Sequence, residues 1–244
     1  MSTDRKILIV VPAWNEEQSI STVVEGLIAA GYEVLVIDDG STDRTPLVAR
    51  SAGAIVLRLP FNLGVGAALR AGFRFAVQNG FDTVVQCDAD GQHPAEYISH
   101  LINALDVGGF HMVIGSRFLG QSELMELSRI RRFAMAILRR SATKAARTSI
   151  TDATSGFRAI CSPLLEEFSM KLPPYYLGDT YEALVSAGRA GYRIAEIPAP
   201  LRPREFGQSS ANPLKASVLV VKALLSVVMS IHQRIAPPEQ NPST

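Results

Sequence analysis

Short, unbroken apolar runs alternate with helix-patterned segments through the first half of this chain, and that alternation restricts the fold more than any other feature. Ile7–Val11 is the first run, ended by Pro12. Glu16–Ala30 follows with helical spacing and stops at Gly31. Val34–Ile37, Ala54–Leu59, Thr83–Cys87 and Met112–Ile114 read as further strands. Thr45–Ser51, Val65–Gln78 and Ala95–Leu105 read as the helices between them. A strand that is apolar on both faces needs cover on both faces, and only a parallel sheet layered between helices provides it. The pattern therefore predicts an α/β fold, a mostly parallel Rossmann-like sheet with helices on both faces. In such sheets ligands bind beyond the carboxyl ends of the strands. The segments Pro12–Glu16, Asp38–Ser41 and Asp88–Asp90 all fall there.

The second half is less regular. Ser128–Arg147 and Asp179–Ala190 read as helices, and Tyr192–Ile197 as a strand ended by Pro198. Asp152–Arg158 reads as a turn entering a short strand, and Arg202–Asn212 as a polar loop. Pro213–Gln233 is apolar and begins with Pro, as helices often do. The domain reading is a catalytic unit over 1–212, an apolar helix over 213–235 that packs on the core or lies at a membrane interface, and a disordered tail over 236–244.

Composition removes several classes. In 244 residues, Lys plus Arg number 24 and Asp plus Glu 23, so no global charge favours nucleic acid. The N-terminus lacks the apolar stretch of a signal peptide, and no run of 18 apolar residues suggests a membrane span. Cys87 and Cys161 are far apart and read as buried thiols of a reducing compartment.

Asp88-Ala89-Asp90 carries the chemistry. Two carboxylates one residue apart at a strand end can share a hard cation, and Mg²⁺ or Mn²⁺ takes one or two protein carboxylates with substrate phosphates completing the shell. The same tripeptide also suits a solvated acidic turn. Asn15 and Glu16 stand where a base or ribose would be bonded. Asp38 and Asp39 end the second strand, where a carboxylate accepts from a nucleobase N–H. Asn62–Gly66 places glycines at a helix N-terminus, which lets a ligand approach the backbone.

Together VPAWNEE (11–17), VIDDGSTD (36–43), NLGVGAALRAGF (62–73), DADGQHP (88–94), GSRF (115–118), DATSGFRA (152–159) and RPREFGQSS (202–210) resemble the family-2 glycosyltransferases of the GT-A fold. The resemblance is nearest to dolichol-phosphate mannose synthases and bacterial polyprenyl-phosphate glycosyltransferases. It implies an inverting transfer of sugar from a nucleotide-sugar donor to a polyprenyl phosphate, at the cytoplasmic face of the cell membrane. The alternative is transfer to a hydroxyl of a glycolipid or cell-envelope glycan. The resemblance implies that Pro12, Ala13, Trp14, Glu16, Asp38, Asp39, Gly64, Asp88 and Ala89 hold the nucleotide. It implies that Asp88, Asp90 and Gln92 surround Mg²⁺ or Mn²⁺, and that Arg117, Arg132, Arg202 and Ser209 meet donor or acceptor phosphates. Trp14 stands where Tyr is usual, Val65 where a basic residue is frequent, and Ser210 where the mannose synthases have Lys, which leaves sugar and base open.

A phosphate acceptor is already ionised at neutral pH, whereas a hydroxyl acceptor needs a base. Asp152, Asp179 and Glu182 are the candidates. Asp152 fits equally an Asx turn or a salt bridge to Arg158. His93 reads as a residue beside the cation site or at the surface rather than a ligand. Ser128–Arg147 carries Arg129, Arg131, Arg132, Arg139, Arg140, Lys144 and Arg147 and no acid. It fits an anionic membrane surface, and equally a surface helix whose apolar side packs on the core.

Overall fold

The computed structural model describes residues 5–119, 129–172, 179–200 and 235–238, with the backbone alone at 129–134 and at Asp179. Seven strands form one sheet: β1 (Ile7–Ala13), β2 (Glu33–Asp38), β3 (Ile55–Arg58), β4 (Thr83–Gln86), β5 (Met112–Ser116), β6 (Arg158–Cys161) and β7 (Ile194–Pro198). Their order is β3-β2-β1-β4-β6-β5-β7. The helices are α1 (Ile20–Ala29), α2 (Thr45–Ser51), α3 (Val65–Gln78), α4 (Ile98–Gly108), α5 (Arg129–Ala146), α6 (Leu164–Lys171) and α7 (Asp179–Ala190). The α/β architecture read from the sequence is the one observed.

Alternation along β1 shows why its sequence is apolar throughout. Leu8 and Val10 enter one core with Leu69 and Phe73 of α3, Phe168 of α6 and Leu184 of α7. Ile9 and Val11 enter the other with Val24 of α1, Ala49 of α2 and Leu101 of α4. Gly72 lets α3 lie close on the sheet, since a Cβ there would sit 2.8 Å from Val10 and 2.9 Å from Ile37.

The sheet is parallel except for β6, which runs antiparallel to both β4 and β5. That reversal has a direct consequence. The entry to β6, residues 152–157, is delivered to the edge where β4 and β5 end, because Arg158 stands opposite both Gln86 and Ile114. The order also reverses beside β1, with β2 on one side and β4 on the other, so the crevice expected of an open α/β sheet opens there.

Several sequence boundaries shift. Pro12 does not end β1. It pairs in register with Ile37. Val10 O accepts from Cys87 N on the β4 side, and Ala13 O from Asp39 N on the β2 side. By the two-residue period Pro12 faces β4, and having no N–H it cannot donate the next ladder bond to Cys87, where the pairing stops and β4 ends at Gln86. α1 begins at Ile20 rather than Glu16, after a turn in which Glu16 O accepts from Ser19 N and Ile20 N. Ala95–Tyr97 is a 3₁₀ turn before α4, and α6 is an additional helix. Residues 235–238 run beside α6, where Ala236 N donates to Glu167 Oε2 at 3.0 Å. The expected loop 202–212 and nearly all of the apolar helix 213–235 lie outside the described residues. Among the described residues no helix is long and apolar enough to cross a membrane.

Candidate active site

The first two motifs hold each other. Asn15, at φ 55°, donates its N–H to Ser41 Oγ at 3.0 Å, and Glu16 N donates to Thr45 Oγ1 at 2.8 Å. In return Thr42 N donates to Asn15 Oδ1 at 2.9 Å and Arg44 N to Glu17 Oε2 at 3.0 Å. The N–H and Oδ1 of Asn15 are thus spent on the loop after β2. Trp14 is 53% exposed at the rim.

Asp38 and Asp39 are both buried but differ in partners. Asp38 Oδ1 accepts from Ser41 N at 3.0 Å. Its Oδ2 lies 3.1 Å from Arg58 Nε, close enough for ion pairing but out of hydrogen-bond alignment, so this buried oxygen lacks a donor. Asp39 accepts from Leu63 N and Gly64 N, each at 2.8 Å. Gly64 has φ 92°, a value side chains disfavour, and caps α3. The Asp39 carboxylate therefore clips the glycine loop against the end of β2.

The strand at Asp88 ends early. β4 stops at Gln86 and a turn carries Asp88–Gly91, so strand alternation does not fix where the two carboxylates point. Asp88 leans on the entry loop of β6: a Cβ at Gly156 would lie 2.7 Å from Asp88 Oδ1. Asp90 Oδ1 accepts from Gln92 N at 3.1 Å, and Asp90 lines a cavity of about 90 Å³ against α1 with Ser19, Val23 and Cys87. The Asp88 side chain keeps 44% of its surface and has no Lys or Arg within 4 Å among the described residues. Among the described residues no three His, Cys, Asp or Glu side chains converge there into a cage. Oxygen donors few in number, one of them seated in a cradle that a Cβ would fill, suit a hard cation whose remaining ligands come from substrate.

Arg117 follows β5 and meets Asp152 in a two-pronged pair, Nε to Oδ2 at 2.6 Å and Nη2 to Oδ1 at 2.8 Å. Nη2 also donates to Thr154 Oγ1 at 3.0 Å. Asp152 is fully buried, and its N–H donates to Glu196 Oε1 at 2.7 Å. Burial pushes its carboxyl up, but the hydrogen bonds and charge of Arg117, with help from Thr154, outweigh that and hold it below the usual carboxylate range. The bond to Asp152 in turn raises the Arg117 guanidinium. A buried, doubly bonded carboxylate of lowered basicity is unsuited to take a proton, so the geometry corrects the candidacy of Asp152 as a base. It also corrects the partner: the salt bridge is to Arg117, not Arg158.

Arg158 is buried and ties the same loop from below. It donates to Ser155 O at 2.7 Å, to Ala153 O at 3.1 Å, and to Thr180 O at the start of α7. Burial lowers its pKa to about 10, against the pull of Asp152, Asp88 and Glu196. Sequence reasoning missed Glu196, which accepts from Thr151 N, Thr151 Oγ1 and Asp152 N. Its signal, one acid in an otherwise apolar strand, is too common to stand out.

Glu182 is buried in α7. On α5, Leu138 and Ala142 face the core while Arg139, Arg140 and Lys144 are exposed, as is Arg147 just past its end. Ser141 Oγ meets Tyr181 Oη of α7 at 2.6 Å. Arg202 and Ser209 lie outside the described residues, as do the side chains of Arg132 and Asp179.

Comparison with known proteins adds independent findings. The family model described as Glycosyl transferase family 2 matches residues 8–168. A dolichyl-phosphate hexose transferase of Haloferax volcanii is 29% identical over 234 residues, 94% of this chain and 96% of that protein. A polyprenol monophosphomannose synthase of Mycolicibacterium smegmatis is 28% identical over 225 residues, 85% and 82% of the two chains. Among solved structures, glucosyl-3-phosphoglycerate synthase from Mycobacterium tuberculosis, crystallised with Mg²⁺ and uridine diphosphate, matches with a TM-score of 0.71 at 23% identity. That match covers 93% of this chain and 79% of the other, and it speaks for the fold alone.

Proposed function

Because this chain belongs to glycosyl transferase family 2, we propose that it moves a sugar from a nucleotide-sugar donor to a polyprenyl phosphate at the cytoplasmic face of a membrane. Two relatives named for dolichyl-phosphate and polyprenol substrates along most of their length support the acceptor class. The observation that carries it is the Arg117–Asp152 pair. Asp152, the candidate base for a hydroxyl acceptor that lies beside this arginine, is instead the counter-ion of its guanidinium. A phosphate acceptor needs no base, and it does need a positive partner.

The nucleotide lies across the ends of β1 and β2, against Pro12, Ala13, Trp14, Glu16, Asp38 and Asp39, with Gly64 and Ala89 at its borders. Asp88, Asp90 and Gln92 hold Mg²⁺ or Mn²⁺, which when bound supplies Lewis-acid stabilisation of the departing diphosphate. Arg117 binds phosphate. Asp152 fixes its Nε and Nη2, while Nη1 makes no hydrogen bond among the described residues and keeps its donors for the ligand. Arg132, Arg202 and Ser209 complete the acceptor side. The exposed basic face of α5 holds the enzyme peripherally on anionic lipid.

The test is incubation of the purified protein with a panel of radiolabelled sugar nucleotides, Mg²⁺ or Mn²⁺, and polyprenyl phosphate. Label appearing in polyprenyl-phosphate sugar, and lost in a well-folded Asp90→Ala variant, supports the assignment. Label in a glycan or glycolipid hydroxyl, or full activity of Asp90→Ala in EDTA, overturns it.

A further inference from the structure

The Asp88 carboxylate is held from behind by residues of both halves of the chain. Asp88 N donates to His93 Nδ1 at 3.0 Å. That bond fixes the ring so that Nε2, 3.6 Å from Asp88 Oδ2, carries the hydrogen facing the carboxylate. The His93 side chain is 5% exposed and stacks on Phe157, with ring centroids 4.8 Å apart and planes at 18°. Phe157 is itself buried. Its carbonyl accepts from Gly115 N at 2.9 Å, and its N–H donates to Ser155 Oγ at 3.2 Å. Ser155 Oγ donates in turn to Gly115 O at 2.6 Å. Gly156 also closes on the carboxylate: a Cβ there would stand 2.7 Å from Oδ1 and 3.0 Å from Oδ2. The loop that carries Gly156 cannot yield easily, since Arg158 holds the carbonyls of Ala153 and Ser155.

We propose that His93, Gly156 and Phe157 are positioning residues that set the Asp88 carboxylate for its cation, an inference that rests on the metal-holding role given to Asp88 above. A carboxylate with one ligating direction open binds a cation well only if its other side is fixed. Partners behind a metal ligand typically carry 10–100-fold of metal affinity. The DATSGFR segment then contributes to the site not as a base but as the wall behind the first metal ligand.

Binding of Mn²⁺ alone, followed by the electron paramagnetic resonance signal of the free ion, tests this without turnover. Gly156→Ala is expected to raise the Mn²⁺ dissociation constant about 10-fold or more by displacing the carboxylate. His93→Leu is expected to do the same. His93→Asn, whose amide oxygen can take the place of Nδ1 in accepting from Asp88 N, should recover part of the loss. Melting curves identify any variant that has merely lost its fold, and Gly156→Ala leaves every existing hydrogen-bonding group in place. Asp88→Asn separates the two levels of the argument. If it abolishes Mn²⁺ binding while Gly156→Ala and His93→Leu bind as tightly as the parent, the cradle is wrong and the metal site stands. If Asp88→Asn itself binds Mn²⁺ unchanged, both are overturned.

Discussion

Replacing Arg117 with Met removes one half of an ion pair whose two halves are very differently buried. Asp152 is 0% exposed, whereas the Arg117 side chain keeps 34% of its surface. Arg117→Met therefore strands a buried carboxylate, but Asp152→Asn only frees a guanidinium that can turn to water. Removing one partner of a buried pair costs about 3–5 kcal/mol, and the exposure of Arg117 places this case near the lower end, about 3 kcal/mol. Asp152→Asn can keep an oxygen accepting from Thr154 and should cost about 1 kcal/mol, the scale of one net hydrogen bond. In a protein of this size 1 kcal/mol corresponds to about 2–4 °C, so Arg117→Met should melt on the order of 6–12 °C lower. The pH dependence follows from the lowered Asp152 carboxyl. A depressed acid contributes its stability in full above its unfolded value, about 3.9, and loses it as pH falls through the folded value. Without the Arg117 guanidinium, burial of Asp152 is opposed only by Thr154 and the backbone N–H of residue 117 and the carboxyl rises, so the variant can relieve its stranded charge by protonation. Its deficit should shrink between pH 7 and pH 4. Urea unfolding across that range measures both quantities. A deficit below about 1 kcal/mol, equal in the two variants and independent of pH, would refute the assignment of a buried pair.

Two other expectations follow from neighbouring geometry. Asp39→Asn exchanges a carboxylate that accepts two backbone N–H groups for an amide that can accept only one without a donor-to-donor clash. Nucleotide affinity by calorimetry should fall more than the turnover of bound donor, as the loop at Leu63–Gly64 loosens, and unchanged affinity would remove Asp39 from the nucleotide site. Replacing exposed Arg139, Arg140 and Lys144 with Gln should weaken co-sedimentation with anionic vesicles and raise the Michaelis constant for the lipid acceptor alone. Each charge contributes on the order of 1 kcal/mol near such a surface, screened by salt, and salt-insensitive binding to neutral and anionic vesicles alike would contradict it.

What could be read from the sequence is what local chemistry determines. α3 and α7 span the residues their patterns indicated, because an apolar stripe with glycine before or after it leaves few alternatives. The edge of the sheet that bears the site was also legible, since the polar motifs follow apolar runs one after another. What was not legible depends on contacts distant in sequence. Arg117 and Asp152 are 35 residues apart, and Asp152 and Glu196 are 44; nothing local distinguishes such partners from other charges. Nor does any residue of β6 reveal that it runs against its neighbours, although that direction alone brings Gly156 behind Asp88. Nor does anything local to Asn15, a polar residue at a strand end, reveal that its oxygen accepts from Thr42. α6 is eight residues beginning just after Pro163, too brief for its periodicity to stand clear of a loop.

The central claim is that the acceptor is a phosphate met by Arg117 rather than a hydroxyl activated by a base. Initial rates with one labelled donor, measured in parallel with a polyprenyl phosphate and with the matching free polyprenol, test it most directly. Transfer to the phosphate is expected, with transfer to the alcohol lower by about two to four orders of magnitude for want of a base worth 10²–10⁴-fold, and a rate with the phosphate that collapses in Arg117→Met. Comparable transfer to the alcohol, undiminished in Arg117→Met, would contradict it.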